Sequence, residues 1–118
     1  MLDLQFQNET DHLLAVARGP FKMKDFEPQL AALVTRARQA GHSRILIDAL
    51  QVTPPETTFQ RHLLGVKFAE QLGDALRVAI LFPQAQITRF TEEAAQSHGA
   101  QLLVTGDRDQ AEAWLRRA

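Results

Sequence analysis

Arg44-Ile45-Leu46-Ile47-Asp48-Ala49-Leu50 is a short, nearly continuous apolar run with one carboxylate inside it. A run that is apolar at both alternating sets of positions marks a strand buried on both faces, as at the centre of a parallel sheet. Leu76 to Phe82 (LRVAILF) repeats the pattern, and Leu102 to Val104 is a shorter instance. Parallel neighbours need long crossovers, so helices are expected between these strands.

The intervening stretches supply them. Before residue 44, Asp25 can cap a helix with Pro28 in its first turn, where a missing N–H costs little. Phe26, Leu30, Leu33 and Ala37 follow at helical spacing, and Gly41 is a natural stop. After residue 50, Thr53-Pro54-Pro55-Glu56 has the form of a capping box with proline at the first helical position. Phe59, Leu63, Val66 and Ala69 line one face of that helix, and Leu64, Phe68 and Leu72 widen the stripe. Gly65, in mid-helix, costs about 1 kcal/mol against Ala, which points to a close backbone approach. Residues 85–98 form a shorter helix ended by Gly99, and Asp107 caps a last helix packed down by Ala111, Trp114 and Leu115.

Farther out, Leu2, Leu4 and Phe6 alternate with Asp3, Gln5 and Gln7, the signature of a half-buried strand. Asn8 to Asp11 is a turn, and His12 to Arg18 (HLLAVAR) is the hairpin partner, ended by Gly19-Pro20. The order β-β-α-β-α-β-α-β-α predicts an α/β fold: a five-stranded, mostly parallel sheet opened by a β-hairpin, in one domain over residues 1–118. The expected core includes Phe26, Leu30, Leu33, Ile45, Ile47, Leu63, Val66, Val78, Ile80 and Trp114. One sheet face should carry large residues and the other smaller apolar ones, among them Ala15, Ala17, Ala79 and Leu81. Strands in sequential order would place the connecting helices on one side. The last helix, or a second copy of the chain in a homodimer, would then cover the smaller face.

Composition narrows the function. The chain has 118 residues, 45 % of them hydrophobic, which supports a core and argues against disorder. Thirteen basic residues against 14 acidic ones give a net charge of -1, and no basic patch is interleaved with aromatics, so no nucleic-acid partner is expected. Cysteine is absent, which removes disulfides, thiolate nucleophiles and thiolate metal sites. The sequence shows no basic, apolar leader and no apolar run near the roughly 20 residues of a membrane span, so a cytoplasmic location is expected.

Chemistry-bearing motifs are scarce. His12, His42, His62 and His98 form no metal-binding pair, and Asp107-Arg108-Asp109 lacks the glycine and distal glutamate of a calcium loop. Ser97 and His98 are adjacent on a helix and point in different directions. No glycine-rich phosphate loop follows a strand. No metal, no cofactor and no enzymatic activity are therefore expected. Asp48 stands near the carboxyl end of its strand, where open α/β sheets place ligands; the alternative is a carboxylate that accepts backbone N–H bonds.

Taken together, the pattern resembles the SpoIIAA-like, or STAS-like, family of small bacterial domains, themselves distantly likened to lipid-carrying CRAL-TRIO domains. The resemblance runs over most of the chain: Gly19-Pro20-Phe21, Ile45-Leu46-Ile47-Asp48, Pro54-Pro55, Arg61 and Gly65 in RHLLG, Ile87-Thr88-Arg89-Phe90, Gly99, and Ala111-Glu112-Ala113-Trp114-Leu115. Where relatives carry Asn-Arg-Gly before the last strand, this chain has Ser97-His98-Gly99. Antagonists of anti-sigma factors carry Asp-Ser-Ser-Gly after the central strand, with a phosphorylated serine. Glu56-Thr57-Thr58-Phe59 falls at that place here, with acid and hydroxyls kept in kind but Phe59 in place of the glycine; the alternative is that Thr57 and Thr58 are ordinary first-turn residues after a capping box. The resemblance implies a non-enzymatic regulatory or scaffold module that binds a protein partner, with Thr57, Thr58, Asp48 and Arg61 as candidate site residues. The alternative it implies is a binder of a small apolar ligand such as a lipid. A partner module predicts an exposed apolar patch, and a ligand binder a cavity lined by Leu, Phe and Val.

Overall fold

The computed structural model describes residues 2–54 and 57–117. Five strands, β1 (Asp3–Asn8), β2 (Leu13–Pro20), β3 (Arg44–Thr53), β4 (Arg77–Leu81) and β5 (Gln101–Thr105), lie side by side in sequence order. β1 and β2 form the antiparallel hairpin, and every later pair is parallel. The helices are α1 (Met23–Gln39), α2 (Thr58–Leu72), α3 (Phe90–Ser97) and α4 (Arg108–Arg116).

The expected architecture is present, and so is its two-sided burial. Leu13, Ile45, Val78 and Leu102 form one row across the sheet, fully buried beneath α1, α2 and α3. Leu14, Leu46 and Ala79 form the next row, which points to the opposite face and packs under Ala111 and Leu115 of α4. Each fully buried Leu contributes about 1.5–3 kcal/mol. α4 thus supplies the second cover from within the chain. Asp107 caps it by accepting from the N–H groups of Asp109 and Gln110. Arg77 pins its far end: the guanidinium stacks 4.0 Å from the Trp114 ring centroid, and Nη2 donates to the Trp114 carbonyl. A cation at that place also suits the negative end of the helix dipole.

Register corrects one expectation. Ala15 pairs with Ile47 and Ile47 with Ile80, so Ala15 and Ala17 belong to the face under α1–α3, not to the α4 face with Ala79 and Leu81. Alternation within a strand cannot say which of its faces matches which face of the next strand; only pairing does.

Several boundaries differ as well. α1 starts at Met23 with Lys22 as cap residue, so Asp25 lies in its first turn and Pro28 lies inside the helix. β3 runs on to Thr53, because its partner β2 also continues to Pro20. Thr53 is therefore not a helix cap, and Pro55 and Glu56 lie outside the described residues. Thr57 caps α2 instead, its hydroxyl accepting from the Gln60 N–H at 3.1 Å. The stretch expected as one helix over 85–98 divides into a 3-10 turn at Gln84–Gln86 and α3, separated by Arg89 with φ 71°.

The core face of α2 is Leu64, Phe68 and Leu72 rather than Phe59, Leu63 and Val66; the latter two are half-buried and Phe59 is exposed. Phe26, Ile47 and Trp114 are half-buried against the core. Gly65 explains the rotation. A Cβ there would stand 2.3 Å from the Thr91 carbonyl oxygen and 2.8 Å from the Ala94 Cβ, so α2 turns its glycine edge to α3.

The β5 edge is closed by α3. Gln96 donates to the Leu102 carbonyl, Glu92 accepts from the Val104 N–H at 2.7 Å, and Arg89 donates to the Val104 carbonyl at 2.8 Å. Arg89 and Glu92 also pair with each other. No helix among the described residues is long and apolar enough to cross a membrane.

Candidate functional site

Parallel strands gather their exits at one end of the sheet, and there the loops entering α2 and α3 meet. The two loops are tied by Arg61, whose Nη1 donates to the Gln86 carbonyl at 2.7 Å and reaches the Thr88 hydroxyl at 3.4 Å. Thr91 returns a bond from its hydroxyl to the Arg61 carbonyl. Thr57, Thr58 and Phe59 stand at the same end, all exposed, and Phe59 is 71 % accessible despite its size.

The two threonines differ in chemistry. The Thr57 hydroxyl is engaged as the helix cap. Thr58 occupies the first helical position, and its hydroxyl has no partner among the described residues. A group attached at Thr58 would lie against the positive end of the α2 dipole.

Asp48 is not part of this cluster. It sits in register with Val16 and Leu81, on the face covered by α4. Between Val16 and Arg18 the pairing slips by one residue, leaving β3 with a bulge at Ala49–Leu50. The Asp48 carboxylate accepts the Leu50 N–H at 3.2 Å, satisfying a donor that the bulge takes out of the ladder. The bulge also places Ala49 and Val52 on the α1–α3 side, three residues apart instead of two.

A feature that the sequence did not place is a cavity of about 140 Å³ between the sheet and the α1–α3 layer. On the sheet side its lining includes the small residues Ala15, Ala17 and Ala49. Phe26, Phe68 and Phe82 contribute to its walls, and Arg61 and Thr88 lie at its lining. Ala15, Ala17 and Ala49 are the signal in the sequence, but alternation within each strand does not show that they share a face, and Ala49 joins it only through the bulge. Among the described residues, no three of His, Cys, Asp and Glu come together to hold a metal ion.

No family model matches the chain, and no curated protein does. Solved structures do match. An anti-sigma factor antagonist from Mycobacterium paratuberculosis superposes with a TM-score of 0.66 at 14 % identity, over 99 % of this chain and 96 % of that one. An uncharacterised protein with a SpoIIAA-like fold from Shewanella loihica gives 0.59 at 20 % identity, covering 97 % and 93 %. The anti-sigma factor antagonist SpoIIAA in its unphosphorylated form gives 0.52 at 16 % identity, covering 94 % of each chain. At these identities the likeness establishes the fold, which is SpoIIAA-like.

Proposed function

We propose that this SpoIIAA-like domain is a non-enzymatic regulatory module that binds a protein partner at the end of the sheet where α2 begins, with Thr58 as its modification site. The observation that carries the reading is the exposed triplet Thr57-Thr58-Phe59. Phe59 is the most exposed of the large hydrophobic residues, and it adjoins a hydroxyl that no structural duty engages among the described residues. A single exposed apolar side chain is common on protein surfaces; what sets Phe59 apart is its place beside the Thr58 hydroxyl at a helix N-terminus. A phosphate on Thr58 would add nearly two negative charges at a helix N-terminus that favours them, changing the surface without unfolding the helix. Two of the structural neighbours carry the name anti-sigma factor antagonist, which supports a protein partner as the class of ligand. Arg61 borders this surface and belongs to it; Asp48 serves the β3 bulge.

The test is phosphorylation mapping. Purified chain is incubated with ATP and an extract of the source cells, then analysed by intact mass and peptide sequencing. One phosphate on Thr58 is expected, lost in Thr58→Ala and retained in Thr57→Ala. A protein that acquires no phosphate on either residue, in this assay and in cells, removes the modification site. Unchanged partner binding by Phe59→Ala removes the surface.

The cavity favours a second reading, a binder of a small apolar ligand. Its lining is almost wholly apolar and it adjoins the same loops, so ligand and partner would act on one end of the molecule.

A further inference from the structure

Most polar groups lining the cavity are already committed. Gln29 donates to the Leu2 carbonyl, Arg89 and Glu92 hold each other and Val104, and Thr91 donates to the Arg61 carbonyl. Arg61 is different. Only Nη1 of its guanidinium is engaged, while Nη2 and Nε have no protein partner among the described residues. No carboxylate among the described residues pairs with it, whereas Arg89 and Arg108 each have one. The guanidinium lies 6.0 Å from the ring centroid of Phe82, itself a wall of the cavity. A cation with donors to spare is thus among the residues that line a largely apolar cavity, held in place by the Gln86 carbonyl.

We propose that the cavity binds a small monocarboxylic acid, its apolar body among Phe26, Phe68 and Phe82 and its carboxylate on Arg61. The proposal rests on the ligand-binding reading and adds the head group and the size. The cavity opens to solvent, so its volume sets the part of the ligand it encloses: an apolar protein cavity of about 150 Å³ accepts a benzene-sized guest, and about 140 Å³ suits about six carbons, straight or cyclic. The head follows from Arg61, because a guanidinium offers a carboxylate paired donors, and its Nη2 and Nε remain for that purpose. The cation in the lining selects acids over neutral molecules of the same shape.

The experiment compares hexanoate with hexan-1-ol, probes of equal chain length and different head. Binding is followed by the methyl NMR signals of Ala15, Ala17 and Ala49 in the ¹³C-labelled protein, with affinities from calorimetry. Hexanoate should shift the three alanine methyls and bind at least about tenfold more tightly than hexan-1-ol, the ratio expected for one charge-assisted contact. Arg61→Met, which keeps the apolar stem, should abolish that preference while leaving hexan-1-ol binding unchanged. Equal binding of acid and alcohol by the unaltered protein overturns the head-group assignment and leaves the cavity reading standing. If neither probe moves the alanine methyls, both fall. The comparison on the unaltered protein decides the matter even if Arg61→Met fails to fold.

Discussion

Gly65→Ala should destabilise this protein, although the same change in an isolated helix would stabilise it. Alanine in a helix interior is favoured over glycine by about 1 kcal/mol. Against that stand three contacts a new Cβ would meet: 2.3 Å to the Thr91 carbonyl oxygen, 2.8 Å to the Ala94 Cβ and 2.9 Å to the Ala95 N. Two of these are backbone atoms of α3, so no side chain can swing aside to relieve them. Relief requires α2 and α3 to part by about 1 Å, which forfeits a quarter to a half of the dispersion energy across their contact. Overpacking of this kind costs about 1–3 kcal/mol. Separation also stretches the bond from the Thr91 hydroxyl to the Arg61 carbonyl, worth about 1 kcal/mol. The balance is a net loss of about 1–3 kcal/mol. Urea unfolding followed by circular dichroism measures it as a lowered midpoint with an unchanged slope. A variant with a midpoint equal to or above that of the parent would refute the close packing of α2 on α3.

Two further outcomes follow from side chains described above. Arg77→Ala removes the stacking on Trp114 and the bond to its carbonyl, and should cost about 2 kcal/mol after allowing for the burial that depresses the Arg77 pKa; thermal unfolding checks it, and a shift below about 2 °C would count against Arg77 as the anchor of α4. The hydrogen bond from His12 holds the Asp11 carboxyl below its ordinary 3.8, so its contribution is present above that pH and is lost as pH falls through the lowered value. Asp11→Asn should therefore be less stable than the parent near neutrality, with the gap closing as pH falls below 3.8 and through the lowered value; a gap independent of pH would show that Asp11 does not titrate in this way.

What was legible in the sequence was whatever depends on local pattern. Strand and helix order, the Asp107 cap and the tight approach at Gly65 follow from neighbours within one or two turns, and the structure carries all of them. What was not legible depends on pairing between distant segments. The cap of α2 shows the difference in small. Thr53-x-x-Glu56 and Thr57-x-x-Gln60 are both capping-box sequences, and the choice fell to the second because β3 stays paired with β2 through Thr53. The bulge at Ala49–Leu50 has no mark in the sequence beyond Asp48, whose carboxylate it employs. The cavity depends on which rows Ala15, Ala17 and Ala49 join, and alternation alone leaves that undetermined. Thr57 and Thr58 were indicated by resemblance, while the exposure of Phe59, which helical spacing assigns to the buried face of α2, and the division of labour, Thr57 capping and Thr58 disengaged, needed coordinates.

The bonds from α3 to β5 bear on how copies of this molecule can meet. A sheet grows into a fibre only if every copy offers two free edges, one to receive a strand and one to be received. Here Arg89, Glu92 and Gln96 already occupy outward-facing groups of Val104 and Leu102, so one edge has no vacancy at those positions. The β1 side remains, its exposed positions filled by Asp3, Gln5 and Gln7. Association through that side brings one β1 against another about a two-fold axis and uses up both open edges at once. Strand joining through β1 would therefore stop at two copies.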